Sequence, residues 1–342
     1  MLEFSRVIQT IDAHTAGEPL RIITSGLPPI PGDTILEKRR VMKERYDHIR
    51  KLLMLEPRGH SGMYGCIVTP PVTDDGDFGV LFMHNEGYST MCGHGIIAVT
   101  KVAVETGMVE VDEGAVERIV RIDAPAGRIT SRATIEAGHV SDVSFENVPS
   151  FVYARDISVP VDGIGEVGID IAFGGAFYVY VDAEKLGVEV VPAQIDRLVA
   201  LGEELKHKVM DRMEVVHPLE PGLRGIYGTI ICEAPREVSG GIETKNICIF
   251  ADAQIDRSPT GTGTSGRLAQ LYARGAIKKG ERLTNRSVID TVFWGRIKGF
   301  DKVGGLDVVT TEVGGEAHIM GFNQFVLEPN DPLPEGLRIT GG

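Results

Sequence analysis

The chain has 342 residues, with 35 Lys+Arg against 48 Asp+Glu and a formal net charge of −13. Such acidity argues against a nucleic-acid groove, which needs a clustered basic footprint, and no apolar run approaches the roughly 20 residues of a membrane span. The length favours two domains over a single core.

In chain order, Val7–Asp12 reads as a strand. Asp33 is a candidate cap for one long helix to about Leu53, with Leu36, Met42, Tyr46, Ile49 and Leu53 near helical spacing. Tyr64–Thr69 and Phe78–Met83 read as strands, then Glu117–Ile122 and Gly127–Ile135 as antiparallel strands set off by turn residues. In the second half, Ile169–Phe173 and Phe177–Val181 are strand-like, and Pro192 is placed to start a helix to about Met213. Ile195, Leu198, Leu201, Leu205 and Val209 fall on one side of that helix, and Ile226–Cys232 and Ile247–Ala251 follow as strands. The Pro- and Gly-rich tail Pro329–Gly342 reads as an irregular, loosely held end. The opening residues show no basic stretch followed by an apolar one, so no secretion signal is expected. Four cysteines without a C-x-x-C pair read as reduced thiols of a cytoplasmic protein, with Cys66, Cys232 and Cys248 in the core.

Two segments match each other. Ser89-Thr90-Met91-Cys92-Gly93-His94-Gly95 and Asp256-Arg257-Ser258-Pro259-Thr260-Gly261-Thr262-Gly263, aligned on Cys92 and Thr260, both read X-Gly-X-Gly before a helical stretch. Those stretches stop at Gly107 and Gly275, each 15 residues after the key side chain. The match implies two similar halves, each aiming a helix N-terminus at a shared cleft. A cysteine at a first helical turn meets unpaired N–H groups and the positive end of the helix dipole, which favour its thiolate. Such a thiolate can serve as nucleophile, metal ligand or general base, and flanking glycines let a ligand approach the backbone. Two such turns can hold a carboxylate on N–H donors alone. Three other readings stand beside this one: a purely structural Gly turn, a nucleotide loop that completes G-x-G-x-x-G in neither copy, and a zinc site at Cys92 and His94 that lacks further ligands near Thr260. The expected fold is α/β (α+β), two lobes each with a curved, mostly antiparallel or mixed sheet around its motif helix. Strands outnumber helices too heavily for a doubly wound parallel sheet.

The motifs Met91–Gly95 and Asp256–Ser265 resemble the two signatures of the proline racemase family. Asp12-Ala13-His14-Thr15-Ala16-Gly17-Glu18-Pro19, Pro57-Arg58-Gly59-His60 and Phe173-Gly174-Gly175-Ala176-Phe177 are similar to further segments of that family. The resemblance spans nearly the whole chain. It implies a pyridoxal-independent enzyme with no cofactor and no metal, built of two pseudo-symmetric, diaminopimelate-epimerase-like lobes and found as a homodimer. The lobes would cover residues 1–155 and 156–315, with a strand at about 316–328 returning to the first and the active site in the cleft between them. Family racemases and 4-hydroxyproline 2-epimerases carry a cysteine in both motifs, whereas here the second is Thr260. A threonine hydroxyl is far too weak an acid to replace a thiol or thiolate, so two-base racemisation should fail. The Cys/Thr pair resembles the trans-3-hydroxy-L-proline dehydratase branch.

Stereochemistry agrees with that branch. In trans-3-hydroxy-L-proline the α-hydrogen and the 3-hydroxyl share a ring face, so loss of water is a syn elimination that one acid/base group can serve. Cys92 is the expected base and a candidate acid for the leaving hydroxyl, with Thr260 on the opposite face as a ligand contact or water positioner. The resemblance places His94 and Asp256 at the substrate's ring nitrogen, although Asp256 is also placed to cap its helix. The N–H groups of Gly93, His94, Gly261 and Thr262 are candidate carboxylate donors. Tyr64 and Phe250 are expected walls around the ring, Tyr64 within reach of the 3-hydroxyl or simply packed in the core. Asp12 and His14 read as scaffold, and His60 and Trp294 as packing. Competing functions are 4-hydroxyproline 2-epimerase or proline racemase, a non-catalytic binder of cyclic imino acids, and a cysteine hydrolase, which would need a histidine set on the thiol and an acyl intermediate.

Overall fold

The structure, a computed structural model, describes residues 4–338. The first half holds β1 (Arg6–Thr15), β2 (Glu18–Ser25), α1 (Ile35–Arg45), α2 (Asp47–Met54), β3 (Tyr64–Thr69), β4 (Phe78–His84), α3 (Gly93–Glu105), β5 (Glu117–Ala124), β6 (Gly127–Glu136) and β7 (His139–Glu146). The second holds β8 (Phe151–Val161), β9 (Gly165–Phe173), β10 (Phe177–Asp182), α4 (Ile195–Met210), β11 (Ile226–Cys232), β12 (Arg236–Val238), β13 (Gly241–Phe250), β14 (Gln254–Asp256), α5 (Gly261–Ala273), β15 (Arg282–Arg286), β16 (Val292–Val303), β17 (Leu306–Gly315) and β18 (Ala317–Leu327). The chain divides into two compact units, one with residues up to 143 and from 316 on, the other with residues 144–315.

The pairing of strands repeats between the units. In the first, β18, β1 and β2 run antiparallel in turn, β2 is parallel to β3, β3 antiparallel to β4, β4 parallel to β5 and β5 antiparallel to β6. In the second, β8, β9 and β10 run antiparallel in turn, β10 is parallel to β11, β11 antiparallel to β13, β13 parallel to β15 and β15 antiparallel to β16. The same succession of steps places α3 against β1, β2, β6 and β18, and α5 against β8, β9, β10 and β16, with β17 packed on α5 as well. Both helices have 13 residues and are buried on nearly every side, as expected of a helix enclosed by its sheet. Both end at a left-handed glycine, Gly107 at φ +73° and Gly275 at φ +72°.

The expected helix from Asp33 to Leu53 is two helices broken at Tyr46. Its cap is Thr34, not Asp33: the Thr34 side chain accepts the Glu37 N–H while the Glu37 carboxylate returns to the Thr34 N–H, a capping box that Thr34-x-x-Glu37 spells out. Leu36 is exposed, and the buried stripe runs through Ile35, Met42, Ile49 and Leu53. Pro192 opens a short 3-10 turn before α4, which buries Leu198, Leu201, Leu205 and Val209 and stops at Met210. The tail is irregular but tied down. Lys51 pairs with Glu335 at 2.8 Å, Arg58 with Asp331, and Leu337 bridges to Glu56. The last residues of that tail, 339–342, lie outside the described residues. Among the described residues no helix is long and apolar enough to cross a membrane.

Asp12 and Arg58 are explained by packing within the first unit. Arg21 Nη2 lies 2.9 Å from Asp12 Oδ2, its Nη1 donates to the Leu53 carbonyl, and its Cζ sits 4.1 Å from the Phe325 ring centre. Only 9% and 14% of the Arg21 and Asp12 side chains are exposed, so removing one partner strands a charge. Arg21→Met is expected to lower stability by about 3 kcal/mol, read as the shift in urea midpoint; a loss within experimental scatter would show that solvent reaches Asp12.

Candidate active site

The Cys92 turn is assembled within the first unit. Cys92 is the N-cap of α3, and its Sγ accepts the Gly95 N–H at 3.3 Å. The His94 ring lies beside it, with Nδ1 3.2 Å from Sγ. The turn is anchored from β1, where Thr15 Oγ1 donates to the His94 carbonyl at 2.8 Å. A side chain at Gly95 would place Cβ 2.5 Å from Phe82 and 2.9 Å from the Cys92 sulfur, so the glycine is what lets helix and thiol coexist. Tyr64 joins the group at the start of β3. Its ring is edge-on to His94 at 4.8 Å, and its hydroxyl lies 2.6 Å from Ser89 Oγ. An N–H directed at sulfur and a helix N-terminus both favour the thiolate.

The other thiols are in different surroundings. All four cysteines are unbridged. Burial pushes the Cys66 thiol far above the ordinary range and Cys232 up to about 11, and Cys248 is 1% exposed. Iodoacetamide at neutral pH is therefore expected to alkylate Cys92 first, and pyrrole-2-carboxylate to slow that reaction. Peptide mapping that found Cys66 or Cys232 modified with Cys92 intact would contradict the assignment.

The second unit builds its turn differently. Thr260 is the N-cap of α5 but its side chain makes no cap bond. Its hydroxyl donates to Asp256 Oδ2 at 2.8 Å, while Asp256 Oδ1 accepts the Ser258 N–H at 2.8 Å. The backbone is at φ +65°, an outlier for a β-branched residue, whereas Cys92 is extended at φ −149°. The surroundings enforce it. The Pro259 carbonyl accepts from Asn246 at 3.2 Å, Asn285 at 3.3 Å and Thr264 at 3.3 Å, and the Thr260 N–H donates to Ser258. Strain held by so many bonds is a mark of functional positions. Asp256 therefore holds the turn before α5, through Ser258 and Thr260, with each oxygen keeping further acceptor capacity.

Phe250 stacks on Tyr227 at 5.5 Å, Tyr227 is edge-on to Tyr178, and the buried Tyr178 hydroxyl lies 2.7 Å from Thr262 Oγ1. The Gly174–Gly175 hairpin packs on the same helix start. A Cβ at Gly174 would lie 2.2 Å from the Thr262 carbonyl. Thr264 takes up the Thr260 carbonyl at the first helical bond of α5. The N–H groups of Gly261 and Thr262, like that of Gly93 in α3, have no acceptor among the described residues, as first-turn donors do. His14 accepts the Gly17 N–H and lies 5.1 Å from His318, and burial together with His318 lowers its pKa. Trp294 is sandwiched by Arg282 and Arg296, and His60 bonds the adjacent Ser61 carbonyl.

Sequence reasoning quoted Ser89 and Ser258 within the motifs but gave them no role, and it missed His84, Asn246 and Asn285. For two of these the signal was a polar residue in an apolar strand: Asn246 within β13 and His84 ending β4, where it pairs in register with Tyr64; Asn285 lies in the polar strand β15, which offers no such signal.

The proline racemase family profile matches residues 10–338. A Bacillus cereus protein named trans-3-hydroxy-L-proline dehydratase is 50% identical over 338 residues, 99% of this chain and 100% of that one. A Burkholderia multivorans protein named 3-hydroxyproline 2-epimerase is 46% identical over 338 residues, with the same shares covered. A hydroxyproline epimerase from Agrobacterium vitis, solved with bound trans-4-hydroxy-L-proline, superposes with a TM-score of 0.89 at 31% identity, covering 99% of this chain and 97% of that one. With a full-length profile match and close relatives over its whole length, this chain belongs to the proline racemase family.

Proposed function

We propose that this protein is a hydro-lyase that removes water from trans-3-hydroxy-L-proline, with Cys92 as the base. One observation carries the reading: two helix starts correspond, but one presents a sulfur that accepts an N–H and the other a hydroxyl that gives its proton to Asp256. That asymmetry supplies one base and no equivalent second one. The naming of relatives at about half identity over full length supports the same reaction.

In the proposed cycle both motif turns engage one substrate molecule. Its carboxylate is held on the N–H groups of Gly93, His94, Gly261 and Thr262, which also stabilise the enolate-like charge as the α-proton leaves. The Thr260 oxygen, its own proton committed to Asp256, is left as an acceptor for the ring ammonium, with Asp256 behind it as counter-charge. His94 orders the sulfur, and Phe250 and Tyr64 wall the ring. The Cys92 thiolate takes the α-proton, the C2–H electrons form the C2=C3 bond, and the C3–O bond breaks toward the same face. The first product is the enamine 2-pyrroline-2-carboxylate, which tautomerises to 1-pyrroline-2-carboxylate. A cytoplasmic homodimer belongs to this reading, supported by four unbridged thiols and by Met320 and Phe322 exposed in alternation on β18.

The test is NMR in D2O with trans-3-hydroxy-L-proline, L-proline and trans-4-hydroxy-L-proline in separate tubes. Pyrroline-2-carboxylate from the first, without inversion of the others, is expected. Inversion at the α-carbon of any of the three without loss of water would replace the dehydratase by an epimerase.

A further inference from the structure

A syn elimination needs an acid on the same face as its base, because hydroxide leaves readily only when protonated. Side chains of the unit that carries Cys92 are candidates for that acid. The His94 ring lies beside the thiol, Tyr64 lies against His94, and Tyr64 in turn meets the His84 ring at 5.5 Å and the Ser89 hydroxyl. Burial and the nearby Arg50 and Arg39 cations push His84 down to about 4, so at neutral pH it is uncharged and a poor donor. His94 is engaged with the sulfur at 3.2 Å.

The Tyr64–Ser89 pair is built with more care than packing requires. Both residues are more than nine-tenths buried, and their hydroxyls lie 2.6 Å apart. Phenylalanine and alanine would fill the same space without two hydroxyls to satisfy. Ser89 stands three residues before Cys92, and its backbone is fixed on both sides. Its N–H donates to the Phe82 carbonyl at 3.2 Å, and the preceding Tyr88 carbonyl accepts from Arg39 Nη2 at 2.7 Å. Tyr64 in turn touches His94 edge-on at 4.8 Å, which sets the phenol one ring away from the sulfur.

We infer that the Tyr64–Ser89 hydroxyl pair is the general acid that protonates the departing 3-hydroxyl, dividing the acid role from the base role of Cys92. The inference rests on the dehydratase reading. In balance, the α-proton goes to the Cys92 sulfur, the C2–H electron pair forms C2=C3, and the C3–O pair leaves with a proton from the hydroxyl pair as water. The enzyme ends with a thiol and a phenolate or alkoxide. One proton moving between them through solvent after product release restores the starting state, so no outside reactant is needed.

Tyr64→Phe and Ser89→Ala test this in D2O with trans-3-hydroxy-L-proline. The expected result for Tyr64→Phe is a fall in pyrroline formation of about 10²-fold or more, with deuterium now entering the α-position of recovered, uninverted substrate. The base still works, and the carbanion returns because its leaving group stays unprotonated. Ser89→Ala should move the same two readouts in the same direction. With trans-3-chloro-L-proline, whose chloride leaves without a proton, Tyr64→Phe is expected to lose at least about tenfold less activity than it loses with the hydroxylated substrate. Pyrroline formation within threefold of the parent would overturn the inference and assign the proton to Cys92 or His94. Exchange, chloride loss and dehydration all falling together would overturn it too, showing that Tyr64 only shapes the site. A parent enzyme that forms no pyrroline from the hydroxylated substrate would instead refute the dehydratase reading itself.

Discussion

Replacing Cys92 with alanine is expected to lower dehydration of trans-3-hydroxy-L-proline by about 10³-fold or more, with the fold intact. The sulfur accepts the Gly95 backbone N–H, and loss of an N-cap bond costs about 1 kcal/mol. α3 is otherwise held by burial on almost all sides and by the Thr15 bond to the His94 carbonyl. Inactivity together with a nearly unchanged melting temperature would separate chemistry from folding. Cys92→Ser keeps the geometry but exchanges a thiol for a hydroxyl that does not ionise near neutrality, so it should be nearly as inactive. Loss of α-deuterium exchange in both variants would mark the defect as loss of the base. If Cys92→Ala kept most of its turnover, the proposed mechanism would fall, since no other group of that turn can take the α-proton.

How much of this was legible in the residues depends on the range of the interaction. The motif helices were readable because their determinants are local: X-Gly-X-Gly at the start, a left-handed glycine 15 residues after the key side chain, apolar residues between. Strand positions such as Tyr64–Thr69 and Ile226–Cys232 were readable from apolar runs. The break at Tyr46 was not, since the apolar stripe continues across it and only the Thr34–Glu37 box marks the true start. The clamp on Thr260 was not readable for a different reason. Asn246 and Asn285 reach Pro259 from strands 13 and 26 positions away in sequence, and nothing in the local pattern says that two amides converge on one carbonyl. The same holds for Tyr64 and Ser89, 25 positions apart. Sequence suggested which side chain holds the proton and which does not; the bonds that set the backbone around Thr260 had to come from the fold.

Those bonds shape the second large effect. Thr260→Cys is expected to turn a single-base site into a two-base one, giving D-proline from L-proline at about 10²-fold or more above the parent's rate. The clamp on Pro259 does not involve the Thr260 side chain, so the cysteine should inherit the φ +65° backbone. It should do so at less cost, because an unbranched side chain is easier to hold in that region. The decisive partner is Asp256. Its carboxylate now accepts the Thr260 proton at 2.8 Å, and beside a thiol it would disfavour the thiolate and keep the proton on sulfur. A protonated thiol there, with a thiolate at Cys92, is the loading that inversion of an L-substrate requires. Chiral chromatography of proline incubations reads the gain directly. Asp256→Asn in the Thr260→Cys background should weaken that loading and lower the rate of L-to-D conversion relative to D-to-L deuterium wash-in. Dehydration by Thr260→Cys itself should stay within about tenfold of the parent, as Cys92 is untouched. No D-proline from a variant that still dehydrates would mean that the missing acid is not what excludes racemisation, and that the walls around the ring do.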